Sequence, residues 1–216
     1  YWKVLNANKN EVEIWDSRYL SAGIQLLETI VRLEGETASN DEVLEIVKKL
    51  GYPKTEHPDI YYYLAVWLND HGEKERAFEE MERALVYVDR YKTNDIVYTS
   101  GNLKNIYVWM TKLSCELNRP QETVKYAVLA LRMDRYLDGV LAVMLELLKK
   151  EPGEKEHADG TWGFLGKLYD VRSQRDLVFL YRCARTAKFA ALEERTLCAM
   201  PENIRQEIKK LEDGKG

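Results

Sequence analysis

The sequence predicts an all-α chain built as a stack of antiparallel helix pairs. Three observations point there. Apolar residues recur at helical spacing through most of the 216 residues. Only 5 Pro and 12 Gly punctuate the chain, and most fall between the periodic segments. Strand signals are thin: residues 1–5 and 96–100 can be read as extended, but neither has a partner run that makes a hairpin.

The elements follow in order. Tyr19, Ile24, Leu27, Ile30 and Val31 form one helical stripe that ends at Gly35. Ser39-Asn40-Asp41-Glu42 is rich in N-cap residues, and Val43, Leu44, Ile46, Val47 and Leu50 carry a second helix to Gly51. Pro53 breaks the chain. Pro58 suits the first turn of a third helix, through Tyr61 to Leu68, which Gly72 interrupts. A fourth runs from Lys74 to Val88. Later segments read as helices around Leu141–Leu148, Asp159–Tyr169, Leu177–Lys188 and Leu192–Met200, with Ile204–Leu211 as a terminal cap. The total is about ten helices around one continuous core.

Helix pairs invite a search for a repeat. Ala65, Leu68, Gly72, Ala77, Met81 and Ala84 show one, with Tyr61 and Leu64 beside them. Two antiparallel helices approach closely only where side chains are small, and Gly72 allows the tight turn. The pattern returns as Tyr107, Met110-Thr111, Ser114, Asn118, Thr123, Ala127 and Ala130, with Pro120 opening the second helix. It returns more loosely at Leu141, Met144-Leu145 and Leu148, with a turn at Pro152-Gly153. This set resembles the tetratricopeptide repeat, whose period is about 34 residues. The resemblance implies a right-handed superhelix, with helix A of each pair lining a concave face. Thr111 follows Ala65 by 111 − 65 = 46 positions. The excess falls in an insertion at 91–101, either a long loop or a lengthened helix end. The chain therefore reads as one helical-repeat domain: an N-terminal pair over 1–56, the two best repeats over 57–136, and degenerate repeats with a cap over 137–216.

Lys plus Arg is 32 against 36 Asp plus Glu, a net charge of −4. Nucleic-acid binders held by phosphate contacts show a basic excess, so no nucleic-acid partner is expected. No apolar run approaches the roughly 20 residues of a membrane span. The chain opens Tyr1-Trp2-Lys3, without Met, and reads as part of a longer polypeptide. Cys115, Cys183 and Cys198 are an odd set with no CxxC, read as reduced, packed thiols in the cytoplasm.

Catalytic patterns are absent: no HExxH, no phosphate-binding glycine loop, no GxSxG and no DxD. No catalytic residue, metal ligand or cofactor is assigned. His57, His71 and His157 sit beside turn residues and read as exposed. Acidic pairs such as Glu79-Glu80 and Glu193-Glu194 read as solvated helix faces. Residues 167–195 hold seven basic residues, among them Arg175, Arg182 and Arg185, against Asp170, Asp176, Glu193 and Glu194. A solvated face is the simpler reading there; an acidic partner or phosphate is the other.

Tyrosine stands out, with 14 residues. On a helix, Tyr61-Tyr62-Tyr63 fans over about 200°. Tyr61 is expected to pack, Tyr62 to face the groove and Tyr63 to point toward the preceding helices. Carried over from the tetratricopeptide pattern, the groove positions are Asp59, Tyr62, Val66, Asn69 and Asp70. The next helix A supplies Asn105, Val108, Lys112, Cys115 and Glu116. The third supplies Ala142, Glu146, Lys149 and Lys150. Tyr62 and Val66 stand where chaperone-binding members of the family need Lys and Asn, which argues against a carboxylate clamp.

Residues 101–136, Leu168-Tyr169 and Phe179–Phe189 are similar to the helical tail of some bacterial family 2 glycosyltransferases. That resemblance implies a catalytic domain upstream and a tail that recruits an acceptor protein or dimerises. The function expected is thus a non-catalytic protein- or peptide-binding module, either such a tail or a free-standing scaffold or regulator.

Overall fold

The computed structural model describes residues 17–33, 40–91, 100–149 and 154–213, and every regular element among them is a helix. They are α1 (Ser17–Leu33), α2 (Asn40–Lys49), α3 (Pro58–Asp70), α4 (Lys74–Tyr91), α5 (Ser100–Glu116) and α6 (Pro120–Met133). Then come α7 (Asp138–Lys149), α8 (Glu154–Leu165), α9 (Gln174–Thr186), α10 (Ala190–Ala199) and α11 (Glu202–Asp213). The all-α expectation holds. The eighth helix begins at Glu154 and ends at Leu165, earlier at both ends than the expected Asp159–Tyr169, because residues 166–169 turn toward the next pair. The ends of the 91–101 insertion, Tyr91 and Ser100-Gly101, are helical; the rest of it, the suggested strands at 1–5 and 96–99, and the turn at 152–153 lie outside the described residues.

The chain divides into two compact units, 1–113 and 114–216. In unit 1, α1 packs on α2 and α3, and α3 packs most extensively on α4. In unit 2, α7 packs on α6, α8 and α9, while α10 packs on α8 and α9. Within each unit these contacts join helices adjacent in sequence and helices two apart, as in stacked pairs.

The α3–α4 pair shows why the sequence folds this way. Ala65, Ala77, Met81 and Ala84 are all 0% exposed. The small side chains bring the backbones together, and Tyr61, Leu64, Trp67 and Leu68 fill the flanks. In unit 2, Thr123, Ala127 and Ala130 on α6 are likewise fully buried.

Three A-to-B turns share one device. Gly72, Asn118 and Lys188 have φ of 80°, 57° and 53°. The next residue in each case donates its N–H back into the helix: Glu73 to Leu68 O at 2.9 Å, Arg119 to Ser114 O at 2.8 Å, Phe189 to Ala184 O at 2.9 Å. A left-handed residue is needed to aim that N–H. Lysine pays a Cβ penalty there that glycine avoids. Lys188→Gly is therefore expected to stabilise the fold by about 0.5–1 kcal/mol, and Gly72→Ala to destabilise it by about 1 kcal/mol. The second cost is conformational, since nothing lies within 4 Å of an added Cβ at Gly72. Urea midpoints of the two variants check both signs.

Burial also shapes the response to alkali. It raises the phenols of Tyr61 and Tyr169 above the usual tyrosine range and pushes the Cys183 thiol up to about 12. The unfolded chain releases these protons at roughly pH 8.5–10 while the folded chain keeps them. Stability is therefore full below that range and falls as pH rises through it. A urea midpoint that does not drop between about pH 8 and 11 would contradict this. Of the three thiols, Cys183 is buried and Cys115 half-buried, as packed residues should be; Cys198 is exposed, because α10 turns that face to solvent.

Candidate functional site

The four helices in the A position carry one burial pattern. Starting from Asp59, Asn105, Gly139 and Arg175, the residues one, five and six places on are buried in every case: Ile60, Leu64 and Ala65; Ile106, Met110 and Thr111; Val140, Met144 and Leu145; Asp176, Leu180 and Tyr181. On α3, α7 and α9 those stripes lie on helices that pack against their neighbours within each unit. The positions between them, at zero, three, seven, ten and eleven, are unburied on α3, α5 and α9. On α7 the expected groove position Ala142 is instead buried in the core, and only Gly139, Glu146 and Lys149 follow the pattern.

In unit 1, Tyr62, Val66 and Asn69 are half-buried on α3, Asn105 and Lys112 are exposed on α5, and Val108 is half-buried. The structure brings Tyr62 and Lys112 to a shared residue, Trp109. Its indole N–H lies beside the Tyr62 hydroxyl, and Lys112 Nζ lies 4.7 Å from its ring centre. Sequence reasoning passed over Trp109, although an aromatic four residues after the exposed Asn105 stands beside the groove positions. Burial raises the Tyr62 phenol, a shift that the Trp109 N–H partly offsets. The Asn69 side-chain oxygen is buried and accepts no hydrogen bond, while its amide donates to Asp70 at 3.1 Å. In unit 2, Glu116 and Glu146 are exposed, Lys149 is half-buried and Ala142 is 7% exposed. Lys150 lies outside the described residues.

The tyrosine triad divides as its helical fan requires. Tyr61 is buried among Tyr52 and Tyr87, with ring centres 5.7 and 5.1 Å away. Tyr63 meets Tyr62 edge-on at 5.1 Å and lies beside Glu28 on α1, in the preceding pair.

Two charge expectations are corrected. Glu80 is 6% exposed and accepts from Tyr52 Oη at 2.8 Å and Arg83 Nη1 at 3.0 Å, so only Glu79 of that pair is solvated. His57 and His71 are half-buried, not exposed, because both close α3. His57 Nδ1 accepts from the Asp59 N–H at 3.4 Å, and His71 Nδ1 lies 2.9 Å from Trp67 O. Burial lowers the His57 pKa against the pull of Asp59, in keeping with a ring that caps in its neutral form. The side chain of His157 lies outside the described residues.

Unit 2 contains a feature the sequence did not single out. A cleft of ≈ 590 Å³ runs beside α9, lined by Tyr136, Arg175, Val178, Phe179, Arg182 and Ile204 among others. A second, of ≈ 600 Å³, continues along α9 past Tyr181 and Arg185 to Ile208 and Leu211 of the cap helix. Beneath the first lies Asp176, 0% exposed, which accepts from Tyr136 Oη at 2.7 Å and the Asp170 N–H at 2.8 Å. Arg135 approaches it at 3.5 Å.

Among the described residues no three His, Cys, Asp or Glu converge as a metal site. No described helix is long and apolar enough to cross a membrane. Comparisons with known proteins add little. No protein-family model matches the chain, and no curated protein matches it. A solved structure described as a functional characterization of Pseudomonas aeruginosa pilF is similar at 19% identity and a TM-score of 0.35, over 88% of this chain and 96% of that one. So loose a likeness bears no weight, and the fold rests on the chain's own helices, turns and burial.

Proposed function

We propose that the chain is a non-catalytic module that binds a protein or extended peptide along the uncovered sides of its A helices. One observation carries this: α3, α5 and α9 leave the same five positions unburied, and α7 leaves three of them so, at Gly139, Glu146 and Lys149. The Tyr62–Trp109–Lys112 set adds support, since it joins aromatic area to polar tips.

The setting is proposed on narrower grounds. Attachment to a family 2 glycosyltransferase rests on the resemblance of 101–136 and of the 168–169 and 179–189 segments, with a free-standing scaffold as the other setting. A cytoplasmic location suits the three free thiols.

A photo-crosslinking side chain tests the binding mode, placed in source cells at Tyr62, Val108 or Val178, with Glu79 on α4 and Glu194 on α10 as controls. The groove positions are expected to capture a polypeptide and the controls none. The captured mass tells a second copy from a different chain. Capture at the controls alone would overturn the proposal.

A further inference from the structure

We infer that the exposed side of α9 in unit 2 binds an acidic peptide segment carrying apolar residues. This rests on the groove reading above and names the partner class for one helix of it. In the register of Asp59 on α3, α9 presents Arg175, Val178, Arg182, Arg185 and Thr186, and these residues line the two clefts. The three arginines are exposed, and their Cα atoms span about 15 Å of one helix side. Val178 and Phe179, both half-buried, lie between the first two. Ile204 and Leu211, the latter 68% exposed, edge the clefts from the cap helix.

Among the described residues neither Arg175 nor Arg182 takes part in an ion pair. Asp176, next in sequence to Arg175, is buried beneath the face and held by Tyr136, Asp170 N–H and Arg135. Asp138, the one carboxylate lining the first cleft, accepts from the Gly139 N–H at 2.9 Å and offsets one of the positive charges there, which leaves the cleft with a net positive lining. Tyr136 carries the Arg175 guanidinium on its ring face at 4.1 Å. Stacking holds the fork flat and leaves its N–H edge for a carboxylate.

Guanidinium, apolar strip, guanidinium is the complement of carboxylate, apolar residue, carboxylate. An extended peptide covers 15 Å in about five residues, so acids about three apart, flanking Leu or Phe, match the face. A nucleic acid is disfavoured, because the whole chain carries a net charge of −4 and would repel a long polyanion.

Fluorescence anisotropy tests this with a fluorescein-labelled peptide of roughly ten residues, Asp and Glu around a central Leu-x-Phe. The control probes are the same peptide with Asn and Gln for its acids, and oligothymidylate of equal length. The acidic peptide is expected to bind, with affinity falling as salt rises through about 0.1 M. Arg175→Gln with Arg182→Gln should weaken it by about tenfold or more, Lys at both should partly restore it, and Arg132→Gln on α6 should leave it unchanged. Unaltered far-UV circular dichroism confirms that these surface variants fold. Equal binding of the amide peptide, tighter binding of oligothymidylate, or unchanged affinity in the double variant overturns the inference. A polypeptide crosslinked at Val178 alongside any of those results leaves the groove reading standing. Crosslinks at the control positions alone would instead bring down the reading itself.

Discussion

Asp176→Ala should destabilise unit 2 by about 3–5 kcal/mol. Asp176 occupies the position filled by Ile60, Ile106 and Val140 in the other A helices, and it is just as buried. A carboxylate at an isoleucine position survives only because its oxygens are satisfied. Tyr136 Oη and the Asp170 N–H donate to it at 2.7 and 2.8 Å, and Arg135 lies 3.5 Å away. Truncation removes the acceptor of two part-buried donors, the Tyr136 hydroxyl and the Asp170 N–H, and leaves a cavity at a position that is 0% exposed. It also releases Tyr136, whose ring meets Phe179 edge-on at 5.3 Å and supports Arg175. Asp176→Asn keeps one acceptor and should cost less. Urea unfolding gives the magnitude, and hydrogen exchange locates it in residues 134–186. A loss under about 1 kcal/mol would mean that the network contributes little.

Tyr61→Ala should cost unit 1 a similar amount, about 3–5 kcal/mol. The ring is 0% exposed and fills the space beside the α3–α4 alanines, stacked on Tyr87 and tilted against Tyr52. Its hydroxyl lies 2.6 Å from Thr55 O and 3.0 Å from Pro53 O, so it ties α3 to the loop before it. Tyr61→Phe keeps the packing and loses only that tie, at about 1–2 kcal/mol. A wide gap between the two variants assigns the stability to packing. Equal losses would assign it to the loop.

Much of the fold was legible because its causes are local. Pro58 and Pro120 open helices, Gly72 ends one, and Ala65, Ala77 and Ala84 recur at the spacing two close helices demand. Asn118 was readable as a stand-in for the turn glycine for the same reason. The fan of Tyr61, Tyr62 and Tyr63 follows from helix geometry alone. The eighth helix was misplaced because its segment lacks paired alanines, so nothing set its register.

The candidate site divides along the same line. The unburied positions of α3 and α5 could be counted from the repeat, since a helix repeats its faces whatever it packs against; on α7 the same count put Ala142 in the groove, and packing buries it. The arginine face of α9 could not. Its segment reads as a mild excess of basic residues over four acids, and nothing local shows that Asp176 is removed from that balance. The partner that buries it, Tyr136, is 40 residues away, just as Tyr52 lies 28 residues from the Glu80 it holds. Helix order, turn chemistry and repeat register are written in the amino-acid order, because each is settled within a few residues. Which charges are buried and which face solvent was decided by tertiary packing, because desolvating a carboxylate depends on partners that only the folded chain brings together.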